Sequence, residues 1–176
     1  MDKYIRLEIK FPGQEKTVIH VKRQADPYRV EKKPIDIVCV LVENKEQILL
    51  TRAKDQDLYN IGIYETVSSK EDIVDTAKRS LKNYHLDIEQ LTFKGVILFK
   101  AEKYSHRIHI FHCYEPMGNL KKEYKKYVSA WLTKDNLDKL DIMPESLLID
   151  ELAQHDKAFH IIARRDPNNP GMFELE

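Results

Sequence analysis

The acids, amides and hydroxyls whose spacing suggests chemistry gather between Tyr59 and Asp87, in YNIGIYETVSSKEDIVDTAKRSLKNYHLD. Read as a helix from about Lys70 to Tyr84, this stretch sorts its polar groups at 100° per residue. Glu71, Asp75 and Arg79 fall at i, i+4 spacing. On spacing alone the three read as an exposed charge ladder worth little. Asp72, Thr76, Ser80 and Asn83 form a second strip, which would line any pocket over the helix. Asp72, Thr76 and the upstream Arg52 are the pocket candidates. A hard dication takes carboxylate oxygens, and this strip carries one carboxylate and three neutral groups.

Elsewhere the chemical signals are weaker. His106, His109 and His112 recur every three residues. In a strand His109 points away from the other two, which then stand about 20 Å apart, so ordinary strand histidines are the better reading. His155 and His160 share no clean helical face and receive no role. Arg107, with Lys100 and Lys103, is placed to meet a phosphate, although a solvated hairpin end is the default. The KKEYKK run at 121–126 reads as a solvated loop, and Glu123 lies within it. The chain holds no Gly-rich phosphate loop, Cys/His zinc spacing or nucleophile elbow.

The elements that must position these groups are mostly strands. Tyr4 to Phe11 alternates, with Ile5, Leu7, Ile9 and Phe11 on one face. A turn at Pro12–Glu15 leads to Thr17–Lys22, which makes an N-terminal hairpin. This hairpin is either a sheet edge or a dimer-forming arm. Residues 1–34 thus form a hairpin and linker, 35–163 the main domain, and 164–176 a tail. Ile35–Glu43 is apolar throughout and predicts a strand buried on both faces. Gln47–Arg52, Tyr59–Tyr64, Leu91–Lys100, His106–Tyr114 and Tyr127–Leu132 follow as strands. Ser68 or Ser69 is the expected cap of the central helix. Ile73, Val74, Ala77, Leu81 and Tyr84 are its expected core face. Thr133 should cap a short helix, and a long helix is expected from Pro144 to about Ala163.

Composition excludes several classes. The 29 basic and 29 acidic residues cancel, so nothing pulls the whole chain toward nucleic acid or an anionic membrane. No apolar run approaches the roughly 18 residues of a membrane span. MDKYIRLEIK alternates and carries both charges, so it does not read as a signal peptide. Cys39 and Cys113 sit in apolar runs and read as buried free thiols. A cytoplasmic setting is expected.

The order of elements resembles the Nudix hydrolase family across about Ile35 to Ala153. ILLTRAK resembles that family's second strand. LYNIGIYETVSSKE occupies the place of its Leu-Trp-x-x-Pro-Gly-Gly segment, and WLTKDNLDKL resembles its Trp-x-x-x-x-x-Leu segment. The resemblance implies an α/β/α sandwich around a mixed sheet. The family's signature box is Gly, five residues, Glu, seven residues, then Arg-Glu-apolar-x-Glu-Glu-x-Gly-apolar. Arg79, Glu71 and Leu81 match it, and the resemblance implies a structural pairing of Glu71 with Arg79 as the alternative to the charge ladder. Glu65 replaces the first glycine, Ser80 the glutamate after the arginine, and Asn83 and Tyr84 the paired glutamates.

In the family those glutamates hold Mg²⁺ or Mn²⁺, which supplies several kcal/mol of the barrier reduction for water attack on a pyrophosphate. The degenerate box therefore implies impaired or absent hydrolysis, no metal at the standard site and no other cofactor. The chain then reads as a module for a nucleotide-like ligand or a partner. The alternative is a divergent Mg- or Mn-dependent hydrolase of nucleoside diphosphate-linked substrates, with displaced acids among Glu65, Glu71, Asp72 and Glu123. A purely structural subunit, docked through the hairpin, is a third possibility.

Overall fold

The strand with the most apolar sequence, Ile35–Asn44, occupies the middle of the fold. This computed structural model describes residues 4–9, 17–22, 33–101, 104–169 and 171–176. In chain order the elements begin with β1 (Tyr4–Ile9), β2 (Thr17–Lys22), β3 (Ile35–Asn44), β4 (Gln47–Ala53), β5 (Asn60–Ile61) and β6 (Ile63–Thr66). The helix α1 (Ile73–Asn83) follows, then β7 (Leu86–Asp87), β8 (Thr92–Lys100), β9 (His106–Tyr114), β10 (Met117–Gly118), β11 (Glu123–Tyr124) and β12 (Tyr127–Thr133). A 3₁₀ turn (Lys134–Lys139), α2 (Pro144–Ala153), β13 (Phe159–Arg165) and β14 (Phe173–Leu175) complete the chain.

One mixed sheet of ten strands runs β11-β12-β4-β3-β9-β8-β13-β14, with β5 beside β4 and β6 beside β3. β3 pairs parallel with β9, and β8 parallel with β13. Alternation along β3 explains the two layers. Val38, Val40 and Val42 face a core shared with Ala77 and Leu81 of α1 and with Tyr84, its C-cap. Cys39 and Leu41 face a second core with Leu148, Ile149 and Leu152 of α2. The sheet is thus sandwiched between two helices, as the sequence implied. β1 pairs antiparallel with β2. The expected turn at 12–15 and most of the linker at 25–34 lie outside the described residues, as does Lys103.

Gly62 joins β5 to β6 where the chain steps from the β4 edge to the β3 edge. Its φ is +89°, and a side chain there would meet the Val40 carbonyl oxygen at 2.4 Å. Only glycine takes that conformation and that approach without strain.

Five expectations are corrected. α1 begins at Ile73 rather than Lys70, because Asp72 caps it: its carboxylate accepts from the Asp75 amide at 2.8 Å. Ser68 serves instead through its carbonyl, which closes a turn with the Glu71 amide. The buried face of α1 is rotated from the expected arc. Val74 is 40% exposed, and Thr76 and Ser80 are fully buried in its place. The small side chains at 76, 77 and 80 let this face approach the sheet. Third, the helix expected to reach Ala163 ends at Ala153. Polar residues 154–157 break it, and Phe159–Arg165 becomes β13, sending Phe159, Ile161 and Ala163 into the α2-side core. Fourth, residues 164–176 are not a loose tail. Phe173 and Leu175 of β14 are buried, and Phe173 meets Phe99 edge-on at 5.6 Å. Thr133 precedes the 3₁₀ turn but its side chain makes no capping bond.

Leu81 is 1% exposed at the centre of the α1-side core. Leu81→Ala should lower stability by about 2–5 kcal/mol. Lys78→Ala, on the exposed side of α1, should change it by less than about 0.5 kcal/mol. Urea unfolding of both variants checks the orientation of the helix.

Candidate functional site

Glu65 pairs across to Val38 and so stands on the α1 side of the sheet. There it meets Arg79. The guanidinium donates from Nε to both Glu71 carboxylate oxygens (3.0 and 3.1 Å) and from Nη2 to Glu71 Oε2 at 2.8 Å. Its Nη1 donates to Glu65 Oε1 at 3.2 Å. Thr76 Oγ1 adds a bond to Glu71 Oε2 at 3.0 Å. These hydrogen bonds, Arg79's first, hold the Glu71 carboxyl below its ordinary value. The Arg79 guanidinium is held protonated, chiefly by Glu71 and then Glu65. Of the two readings open for Glu71 and Arg79, the specific pair is the one formed. Asp75 takes no part in it.

The remaining box positions face inward. Ser80 is fully buried and donates to the Ala77 carbonyl at 2.7 Å, within its own helix. Tyr84 is 4% exposed and tilts against the Tyr124 ring at 5.6 Å. Burial pushes its hydroxyl up to about 12, helped by Tyr127, Glu65 and Tyr124. Asn83 Nδ2 is buried with no hydrogen-bond partner.

The pocket candidates are not brought together. Thr76 lies against the sheet and Asp72 is the helix cap. Arg52 belongs to the α2 side, where it lies over the Tyr59 ring at 5.3 Å and donates to the Gln56 carbonyl at 2.7 Å. Tyr64, next to Glu65, also faces α2, where its hydroxyl meets Ser146 Oγ at 3.1 Å. A hollow among the described residues lies elsewhere. It is open, about 380 Å³, and lined by Leu58, Leu137, Leu140, Ile142 and Leu147 with Asp138 and Asp141.

A dication fits this donor set poorly. Glu65, Glu71 and Asp72 are engaged as described, and Glu123 is bound by Lys54 at 2.6 Å. No three His, Cys, Asp or Glu side chains converge among the described residues. His109 bonds Asp36 at 2.9 Å and His112 approaches Glu43 at 3.5 Å, so the histidine series divides as strand alternation requires. Arg107 also turns to Asp36, at 3.5 Å. Cys39 and Cys113 are buried free thiols, each pushed up to about 12 by burial, and thus no nucleophiles at neutral pH. No helix of the described residues is long and apolar enough to cross a membrane.

Sequence reading missed the aromatic group around Tyr84. Tyr124 and Tyr127 reach it because β11 and β12 form a tight hairpin whose register pairs these two residues. The Tyr-x-x-Tyr spacing within KKEYKKY carried that signal, although as a loop it was silent.

This architecture recurs among solved structures. A MutT mutator protein from Bacillus halodurans matches with a TM-score of 0.67 at 15% identity, over 81% of this chain and 97% of its own. The NUDIX domain of Shewanella oneidensis NrtR, complexed with ADP ribose, matches at 0.61 with 10% identity, over 74% and 92%. A UDP-X diphosphatase matches at 0.58 with 13% identity, over 78% and 70%. No protein-family model matches the chain, and no curated protein matches it in sequence. The fold is therefore the Nudix fold, the architecture that the sequence resemblance implied.

The Glu71 pairing has a pH signature. Its carboxyl is lowered on folding, so the pairing stabilises the fold above the ordinary value of 4.5 and fades as pH falls through the folded value. Thermal unfolding should show Glu71→Gln less stable than the parent at pH 7, with the difference shrinking toward pH 3. An unchanged difference at pH 3 would contradict the pairing.

Proposed function

We propose that this Nudix-fold chain is a binding module for a nucleotide-like ligand or a partner and has lost metal-dependent pyrophosphate hydrolysis at α1. The observation that carries this reading is the state of the acids. Glu65 and Glu71 grip Arg79, and Asp72 caps the helix, so these three carboxylates already serve the fold. The positions that would complete a metal seat hold a buried serine, a buried-edge amide and a buried tyrosine. Hydrolysis of a pyrophosphate by this fold needs free carboxylate oxygens for the dication. Ligand binding does not. The ADP ribose held by the NrtR NUDIX domain makes ligands of that kind the first to test. Two free thiols, with no disulfide between them, suit a reducing cytoplasm.

The test is hydrolysis of nucleoside triphosphates, dinucleotide polyphosphates, ADP-ribose and nucleotide sugars, with Mg²⁺ or Mn²⁺ and a chelator control. Folded protein at high concentration should give no chelator-sensitive turnover. Turnover that disappears both with chelator and with Glu71→Gln would overturn the proposal and establish displaced metal ligands. Packing supplies an independent check. Ser80→Glu places a carboxylate where nothing is exposed, so it should destabilise the protein by several kcal/mol rather than create a metal site. Denaturation with and without Mn²⁺ measures both effects.

A further inference from the structure

The α2 side of the molecule carries an apolar surface that its own core does not use. The open hollow of about 380 Å³ lies where the segment before β5, the 3₁₀ turn and the first turn of α2 meet. Ile142 is buried beside it, and Leu137 and Leu140 are half-buried. Leu58 and Leu147 line it as well, yet they stand 39% and 43% exposed. Leu148, Ile149 and Leu152 already supply the core face of α2. The leucine at 147 thus occupies the side where a surface helix normally carries a polar residue. The hollow is preformed. The Tyr59 amide donates to the Asp141 carbonyl at 2.9 Å, and the Met143 amide to the Tyr59 carbonyl at 2.8 Å. These bonds tie the wall that carries Leu58 to the wall at 141–142.

The rest of the lining is acidic. Asp138 and Asp141 border the leucines, and Asp57 precedes Leu58 in the chain. All three are exposed. Among the described residues no cation pairs with any of them. The neighbouring lysines are engaged elsewhere: Lys134 bonds Glu43, and Lys139 bonds the side-chain oxygen of Asn136. Exposed leucines inside an unneutralised acidic rim complement apolar anchors flanked by lysine or arginine.

Resting on the partner half of the module reading, we propose that this hollow docks a basic amphipathic helix of a partner protein. Its apolar side chains enter between Leu58 and Leu147, and its basic side chains meet Asp57, Asp138 and Asp141. An added strand fits less well, because the backbone at Tyr59, Asp141 and Met143 is already bonded across the hollow. A second copy docked through the same patch would set aspartates against aspartates. An anionic membrane would meet the same repulsion.

Fluorescence anisotropy tests the proposal with a labelled leucine–lysine peptide whose leucines fall at i, i+3, i+4 and i+7. The controls are a peptide of the same composition with leucines on every face and a leucine–glutamate peptide. The first should bind, more weakly as salt rises, and both controls far less. Leu58→Gln and Leu147→Gln, at exposed positions, should keep the unfolding midpoint and each weaken the first peptide about tenfold. Asp138→Lys with Asp141→Lys should reverse the preference, weakening the lysine peptide and strengthening the glutamate peptide. Failure of the lysine peptide to bind, or binding that ignores these changes, would overturn the docking site and leave the module reading to the hydrolysis assay. Equal binding of the peptide with scattered leucines would overturn it too. Co-sedimentation with phosphatidylserine vesicles that is lost in Leu147→Gln would assign the hollow to a membrane. A dimer in sedimentation that Leu147→Gln dissolves would assign it to a second copy, and either result overturns the proposal.

Discussion

The two-sided burial of β3 is the constraint on which the rest of the structure depends. Both edges of this strand are hydrogen-bonded, to β9 on one side and to β4 and β6 on the other. Both faces are apolar, so each requires a helix. A strand of this kind cannot lie at an edge or face solvent. It fixes α1 and α2 on opposite sides and forces the alternation that separates Tyr64 from Glu65. The candidate site inherits that separation: Glu65 joins Arg79 on the α1 side while Tyr64 joins Ser146 on the other.

On the α1 side, two carboxylates gather around one guanidinium and leave a local excess of negative charge. Arg79 offers donors to both acids at once, a fork geometry a lysine cannot reproduce. The arrangement holds the end of β6 to the middle of α1 by a hydrogen-bonded ion pair. Around the far turn of the same helix the chemistry changes character. Tyrosines close the space, and the exposed charge beyond them is positive. One helix thus joins an acidic clasp to a basic corner, with buried Ser80 and Ala77 between them.

Much of this architecture was legible in the sequence, because alternation and two-faced apolar runs are local signals. β3, β4, β8, β9 and β12 stood out in that way, and the family resemblance offered the Glu71–Arg79 pairing as one of two readings. What escaped was decided by distant partners. The rotation of α1 depends on how closely Thr76 and Ser80 approach the sheet, which helical periodicity does not contain. FHIIARR is a short apolar run compatible with helix or strand, and β8, far upstream, decides the matter by pairing with it. Tyr127 reaches the site only through the register of β12 on β4. That Ser80, Asn83 and Tyr84 stand where the resemblance implied glutamates was visible, but the buried positions of Ser80 and Tyr84 were not.

The parallel pairings also shape how the chain acquires its structure. Ile35 lies beside His106, and Gly95 beside Phe159, so both central pairings join residues more than sixty positions apart. Such contacts close long loops before they return any burial, and chains dominated by them fold slowly. During synthesis β3 and β4 emerge with neighbours only on one side. β8, once made, presents an open hydrogen-bonding edge until residues 159–165 have left the ribosome. That edge, bordering the α2-side core, is the surface most exposed to wrong association while the protein is young.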